Sequence, residues 1–413
     1  MVVRDQTVGR PDGDGVRIAR RALHATPFYA MAFEQQAAAV EARGDHVVRF
    51  NLGEPDFGAP AAVREAMRTV MDGRPTSYTP ALGLHALREA IATFYLDRHG
   101  VRVDPARVAV TSGASSALLL AVASIVDPGS EVIMADPSYP CNRQLVESFG
   151  GRVVSVETTV ATRFQLDREL VDRAWTTDTR AVMIASPSNP TGTSIDHDEL
   201  TAICENARAR GAWRLVDEIY LDLADPDENG RPARSVLAVD PDAIVINSFS
   251  KYFGMTGCRL GWCVVPEDLV PALERLAMNY FLCASSPAQQ AALACFTPGT
   301  LAECEDRRAE FVARRAIVLT ELARIGLPVS VEPDGAFYVY VDVSVTGLGA
   351  WEFCERALRD AHVAITPGKD FATCTAETHV RLSYATSRDE LFEGLARLET
   401  FVAALGDKTA SAP

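Results

Sequence analysis

Residues 107–156 decide the fold class, and they read RVAVTSGASSALLLAVASIVDPGSEVIMADPSYPCNRQLVESFGGRVVSV. Three β-rich runs alternate here with two helical runs: Arg107–Thr111, Glu131–Ala135 and Arg152–Val156 with Ser115–Ile125 and Cys141–Phe149 between them. Alternation of this kind is typical of parallel strands joined by helices that cover both faces of the sheet. We therefore predict an α/β fold whose large domain contains a mostly parallel, doubly wound sheet.

The alternation continues to about residue 290 and then changes. Further strands are predicted at Ala181–Ala185, Trp213–Val216, Ala243–Asn247 and Arg259–Val265. The last third predicts a smaller α+β domain, with helices at Leu301–Arg324, Ala350–Asp360 and Arg388–Ala404 and strands at Val329–Val331, Ala336–Val341 and His379–Ser383.

A chain of 413 residues exceeds the usual size of a single hydrophobic core, so two domains are expected. We expect the boundary between Ala284 and Pro298. The predicted division is an N-terminal arm with part of the small domain (1–50), a large domain (51–290) and a small C-terminal domain (291–413). Residues 1–21 are polar and predict a loose arm.

Composition argues against several classes of function. The formal charge of −15 disfavours nucleic acid and anionic membranes as partners, because both attract clustered positive charge. The nine cysteines form no CxxC pair, which favours reduced thiols over a metal site or a disulfide framework. No long apolar run and no secretory signal is visible. The expected location is the cytoplasm.

The most informative segment is SFSKYFGMTGCRLGW, residues 248–262. Lys251 directly follows a β-rich run, and ligands of doubly wound sheets bind at such strand ends. Ser248, Ser250 and Arg259 could together hold an anion by hydrogen bonds and a planar charged fork. A lysine near fixed cations and shielded from water has a lowered pKa, so its amine becomes a nucleophile.

This segment resembles the Schiff-base signature of the class I/II aminotransferases, which are fold type I pyridoxal-phosphate (PLP) enzymes of the aspartate aminotransferase type. The resemblance implies that Lys251 bonds pyridoxal 5′-phosphate as a Schiff base. It also implies that Ser248, Ser250 and Arg259 bind the phosphate, and that the large domain is the PLP-binding one. Other pieces of the family pattern follow in order from Asn51 to Arg381.

Four of these pieces concern the cofactor. In TSGASS (111–116), small residues at a helix start let backbone N–H groups approach a phosphate, and the resemblance assigns that role to Gly113, Ala114 and Ser115. In DPSYP (136–140), the resemblance implies that Tyr139 stacks on the pyridine ring. In SPSNPTG (186–192), it implies that Asn189 bonds the 3′-oxygen. In LVDEIY (215–220), it implies that Asp217 pairs with the pyridinium nitrogen and that Tyr220 donates to the 3′-oxygen. A buried Asp217 would need such a cationic partner.

Three further matches concern the substrate and a second subunit. NLGEPDF (51–57) resembles the segment whose glycine, here Gly53, lies over the substrate. VRLSYA (380–385) resembles the strand whose arginine, here Arg381, binds the substrate α-carboxylate, with Asn189 nearby. SYTPALG (77–83) resembles the segment whose tyrosine, here Tyr78, reaches the phosphate of the partner subunit. The resemblance therefore implies a homodimer with shared active sites.

The implied activity is transfer of an amino group between an L-amino acid and a 2-oxo acid. The same scaffold also carries PLP-dependent lyases, such as carbon–sulfur β-lyases, and cyclising synthases, so these remain the alternative. A transcription regulator with a PLP-binding domain is disfavoured, because the segment before the match is too short and too acidic for a DNA-binding domain.

The substrate is not fixed by these patterns. Many bacterial aspartate aminotransferases carry a lysine for a distal carboxylate at the place of Ser115, and its absence weakens a dicarboxylate interpretation. Arg143 could serve an acidic substrate or could be a solvated helix charge, which we favour. Phe28, Tyr29 and Phe281 could line an apolar pocket or could belong to the core.

Overall fold

The computed structural model describes residues 18–410. Its strands are β1 Val48–Arg49, β2 Val108–Thr111, β3 Glu131–Asp136, β4 Arg152–Glu157, β5 Thr179–Ala185, β6 Trp213–Asp217, β7 Ile244–Ser248, β8 Gly261–Val264, β9 Tyr338–Asp342, β10 Val363–Ala364, β11 Thr366–Pro367 and β12 His379–Ser383. Its helices are α1 Arg20–His24, α2 Tyr29–Glu41, α3 Ala61–Val70, α4 His85–His99, α5 Ala114–Ile125, α6 Pro140–Ser148, α7 Arg168–Ala174, α8 His197–Ala209, α9 Val270–Tyr280, α10 Ser286–Ala292, α11 Pro298–Arg324, α12 Ala350–Ala361 and α13 Arg388–Ala410.

A seven-stranded sheet with the order β2-β8-β7-β6-β5-β3-β4 forms the centre of the molecule. Only β8 runs against its neighbours, because it pairs antiparallel with both β2 and β7 while the other pairings are parallel. The carboxyl ends of the six parallel strands therefore lie along one edge. The prediction of a mostly parallel sheet is confirmed.

Both faces of this sheet are buried, as shown by successive residues of single strands. In β7, Ile244 and Ile246 belong to one hydrophobic core, whereas Val245 belongs to the other. In β6, Leu215 and Val216 divide in the same way. Helices α5 and α9 cover the first core and α4 and α8 contribute to the second, which confirms the doubly wound α/β arrangement.

A second, three-stranded antiparallel sheet has the order β11-β12-β9. Helices α11, α12 and α13 pack around it, and their buried residues join the larger core. The short strand β1 pairs in parallel with β10, so Val48 lies opposite Val363. The segment before the large sheet is thus bound to the last third of the chain.

Two strand predictions were wrong in part or whole. No strand forms at Val329–Val331, where the flanking Pro328 and Pro333 each remove a backbone donor from a possible ladder. The strand predicted from Arg259 begins at Gly261, because Arg259 has a left-handed φ of 50°. Of the predicted arm 1–21, residues 1–17 lie outside the described residues.

All nine cysteines lie in the described region, and each is a free thiol. Among residues 18–410, no helix combines the length and the hydropathy needed to cross a membrane.

Gly394 in α13 tests how tightly this helix packs on β1. A Cβ at this position would overlap the Phe50 ring and lie 2.7 Å from Val48 Cγ1. We expect Gly394→Ala to destabilise the protein by about 1–3 kcal/mol, the usual cost of overpacking. The measurement is the midpoint of unfolding followed by circular dichroism.

Gly406→Ala is the matched control in the same helix, since an added Cβ there meets no atom of the described side chains within 4 Å. Because alanine favours helix, this change should stabilise by up to about 1 kcal/mol. Equal midpoints for the two variants would contradict the packing described for α13.

Candidate active site

One cavity of about 240 Å³ lies at the carboxyl edge of the large sheet. Most residues singled out in the sequence line it: Gly53, Ala114, Ser115, Tyr139, Asn189, Asp217, Tyr220, Ser248, Ser250, Lys251, Arg259 and Arg381. Gly113 lies beside it, against Arg259. Tyr78 does not line it; its side chain is 81% exposed.

Lys251 follows β7 and points its amine into the cavity. Nζ donates a hydrogen bond of 2.6 Å to the Gly53 carbonyl and lies 5.7 Å from the centre of the Tyr220 ring. Burial lowers the pKa of this amine to about 8, and the nearby Arg381 and Arg259 also lower it, whereas Glu54 and Asp217 raise it. A substantial fraction of the amine is therefore neutral, and so nucleophilic, at a pH where ordinary lysines are charged.

Asp217 ends β6 on the floor of the cavity. Its side chain is buried, and Oδ1 accepts a hydrogen bond of 3.2 Å from the Ile219 N–H. Burial raises the pKa of this carboxyl group to about 6, against the opposing effects of that hydrogen bond and of Lys251. A buried carboxylate with so little compensation is suited to a cationic ligand.

Two tyrosines form a hydrogen-bonded pair in the wall. The hydroxyl oxygens of Tyr220 and Tyr338 are 2.8 Å apart and buried. If Tyr338 donates to Tyr220, the Tyr220 proton is left for a ligand oxygen. Burial raises the pKa of both phenols, so both stay neutral.

One end of the cavity is built for an anion. Helix α5 begins at Ala114, and its first N–H groups have no acceptor within the helix. Gly113 has φ 84°, and a Cβ there would lie 2.7 Å from Arg259 Nη2, so only glycine permits this close approach. Ser248 and Ser250 also line the cavity, and the Ser248 hydroxyl donates to the Leu260 carbonyl at 3.3 Å.

Arg381 lies on the opposite side and is 2% exposed. Nη1 donates to Asn189 Oδ1 at 3.0 Å, and Nη2 donates to the Asn51 carbonyl at 2.7 Å. Its guanidinium lies over the Tyr338 ring, 4.5 Å from the centroid. Within the described residues no carboxylate pairs with it, and Nε is buried without a hydrogen-bond partner. This buried cation is suited to bind a carboxylate from a ligand.

Sequence reasoning missed three residues that contribute to the site. Tyr338 pairs with Tyr220, the Asn51 carbonyl holds Arg381, and the exposed Glu54 lines the cavity near Lys251. The glycine at position 53 points to Tyr338 only indirectly, because any other residue there would place a Cβ 2.6 Å from the Tyr338 hydroxyl. The contact itself joins distant segments and is not visible in the sequence.

Of the four residues considered for substrate binding (Phe28, Tyr29, Phe281 and Arg143), Phe28 alone lines the cavity. Phe28 lines the cavity and meets Tyr139 edge to face at 6.2 Å, whereas Tyr29 packs on Trp351 and Phe281 lies elsewhere. Arg143 donates to Ser155 Oγ at 3.0 Å and does not line the cavity.

Comparison with known proteins places the chain in one family. The model of the family "Aminotransferase class I and II" matches residues 45–398. A valine–pyruvate aminotransferase of Mycobacterium tuberculosis is 38% identical over 387 residues, which cover 94% of this chain and 98% of that protein.

Solved structures agree over a similar length. The crystal structure of an aminotransferase from Mycobacterium tuberculosis has a TM-score of 0.90 and 37% identity, covering 94% of this chain and 100% of that one. The structure of aspartate aminotransferase from Thermus thermophilus with maleate has a TM-score of 0.88 and 34% identity, with the same coverage.

The lowered pKa of Lys251 is directly testable, because the chain contains only three lysines, at 251, 369 and 408. In protein freed of small molecules, the rate at which acetic anhydride acetylates Lys251 should rise with pH and reach half of its maximum at about pH 8. A standard of Nα-acetyl-lysine, whose side-chain amine is free, should reach half of its maximal rate at about pH 10.4. Peptide mass spectrometry measures both, and a Lys251 midpoint at that of the standard would contradict the described environment.

Proposed function

Since this chain belongs to the class I and II aminotransferases, we propose that its cavity holds pyridoxal 5′-phosphate through Lys251 and the substrate carboxylate through Arg381. It is an enzyme that transfers an amino group between an amino acid and a 2-oxo acid. The finer proposal rests on one observation: a partly buried amine, a buried carboxylate and a buried guanidinium without a carboxylate partner among the described residues face the same cavity.

The anion end fits the cofactor's phosphate. The N-terminus of α5 at Ala114 and Ser115 would supply backbone donors, and Ser248 and Ser250 would supply hydroxyls. Arg259 would supply charge, and the contact that leaves no room for a Cβ at Gly113 keeps its guanidinium close to the helix end.

The floor and walls fit the cofactor's ring. Asp217 would pair with the protonated ring nitrogen, which gives this buried carboxylate the cation it lacks. Tyr139 would stack on the ring face. Tyr220, oriented by Tyr338, would donate to the 3′-oxygen together with the amide of Asn189, whose Oδ1 is occupied by Arg381.

When bound, PLP supplies an electron-withdrawing ring that makes the α-proton of an amino acid labile. Arg381 would bind the α-carboxylate by two parallel hydrogen bonds, since its planar fork matches that geometry. Nζ of Lys251 would accept the proton from the substrate α-carbon, and its pKa of about 8 allows it both to take and to return a proton near neutral pH. The similar proteins reported above are aminotransferases, which favours transamination over elimination or cyclisation.

An apolar surface supports the proposed homodimer. Tyr78 is exposed, and so are apolar side chains at the end of α3, at and after the end of α9 and just after α10, namely Met71, Met278, Tyr280, Leu282 and Leu293. The segment around Tyr78 is fixed to α10, because Ser286 Oγ donates to the Ser77 carbonyl at 2.7 Å. An exposed apolar area of this kind is typical of a subunit interface, and Tyr78 would reach the phosphate of the partner subunit across it.

We also propose the division into residues 1–50 with 291–413 and residues 51–290. It is supported by the pairing of β1 with β10, which joins the two parts of the small domain. A cytoplasmic location stays a prediction, supported by nine free thiols.

Lys251→Ala tests the cofactor assignment. Wild-type protein mixed with PLP and reduced with borohydride should carry the cofactor mass on the peptide containing Lys251. The variant should carry none and should lose turnover by at least about 10²–10⁴-fold, the usual contribution of a general acid–base. Lys369→Ala is the control, and it should keep both the cofactor mass on the Lys251 peptide and the turnover. Labelling of Lys369 in place of Lys251 would refute the proposal.

Hybrid dimers test the shared site. Co-expression of chains carrying Tyr78→Ala with chains carrying Lys251→Ala creates hybrids in which one site of two is intact. Random pairing should give about one quarter of the wild-type activity, although either variant alone is nearly inactive. Activity of the mixture no greater than the sum of the separate variants would exclude a shared site.

A further inference from the structure

The proposed function already assigns a ligand group to each basic side chain that lines the cavity among the described residues. Lys251, Arg259 and Arg381 are the basic residues among those that line it. Two other basic residues lie close by but bind elsewhere. Arg143 is 3.9 Å from Asp136 and bonds Ser155, and Lys369 Nζ lies over the rings of Tyr29 and Trp351 at 5.3 and 5.6 Å.

Among residues 18–410, the substrate side chain therefore meets no spare cation. It meets instead the exposed carboxylate of Glu54, which lines the cavity and would repel a second carboxylate. The dicarboxylic amino acids are disfavoured by both features.

The remaining lining is largely apolar. Phe28, which precedes α2, and Met31, in its first turn, form an apolar part of the cavity wall, and Leu118 and Ile219 also line the cavity. Met31 is 52% exposed, so its side chain leaves apolar surface in contact with water. An apolar ligand group placed against this wall would remove such surface from water.

A remote carboxylate holds this wall in place. The residue before α2 is Phe28, whose side chain cannot cap a helix. Asp370 supplies the cap, since its two oxygens accept from the Tyr29 and Ala30 N–H groups at 2.7 Å each. Asp370 is buried, and Asn51 Nδ2 lies 3.5 Å from the Ala30 carbonyl. The wall is thus fixed by Asp370, in the turn after β11, and by Asn51, whose carbonyl also accepts a hydrogen bond from Arg381.

We infer that the amino acid taken by this site has an uncharged, apolar side chain, and that Asp370 is a positioning residue which docks Phe28 and Met31 against that side chain. The inference rests on the proposed function of the same cavity. It assigns to the start of α2 the discrimination between apolar and acidic donors.

The test uses the PLP-loaded enzyme and follows the cofactor spectrum after mixing with single amino acids. L-leucine, L-methionine and L-valine should react with a kcat/KM at least tenfold above that of L-aspartate and L-glutamate. L-aspartate reacting as well as L-leucine would overturn the inference and leave the proposed function intact. No spectral change with any amino acid would instead overturn the proposed function.

Variants of Met31 and Asp370 distinguish contact between the wall and the substrate side chain from a general effect on the site. Met31→Ala should lower kcat/KM for L-leucine several-fold but leave that for L-alanine, whose methyl group is too short to reach the wall, nearly unchanged. Asp370→Ala should raise KM for L-leucine about tenfold with a smaller effect on kcat. Asp370→Asn, which keeps one acceptor oxygen, should restore part of that loss.

Val345→Ala changes an exposed apolar residue outside the cavity and should have no effect on either donor. Equal losses for L-leucine and L-alanine in Met31→Ala would show that the wall does not contact the side chain, and would overturn the inference. Since Met31 is half exposed, its variant keeps the test valid even if Asp370→Ala fails to fold.

Discussion

The structure depends on keeping unpaired charges close together inside one cavity. Arg381 is 2% exposed and bonds only neutral oxygens among the described residues, while Asp217 and Lys251 are held across from it without a direct ion pair. Burial of this kind is costly, and it displaces the pKa of Asp217 upward and that of Lys251 downward. The fold accepts that cost because a ligand with the complementary charges can remove it.

The large sheet provides the rigidity that this arrangement needs. Asp217, Ser248 and the turn before α5 all lie at the carboxyl ends of parallel strands whose two faces are buried. Arg381 comes from a different sheet, yet its hydrogen bonds to Asn189 and Asn51 connect it to segments beside the first. The site therefore spans two sheets and is sensitive to how they sit against each other.

Much of this could be predicted from the sequence, because fully buried parallel strands appear as short apolar runs and the polar residues that end them stand out. Lys251, Asp217 and Asn189 were found in that way and by resemblance. Tyr338 and Asp370 were not, because each acts through contacts with segments far away in the chain. The strand expected at Val329–Val331 failed for a local reason, since propensity alone ignored the two prolines beside it.

The pairing of β1 with β10 has a consequence for biosynthesis. Val48 leaves the ribosome before the whole large sheet, but its partner Val363 is made only after that sheet. Until β10 has been made, the early segment has apolar residues and an unsatisfied strand edge, while the central sheet can already assemble. Nascent chains are thus expected to expose this edge until β10 emerges, which makes it a natural place for a chaperone to bind.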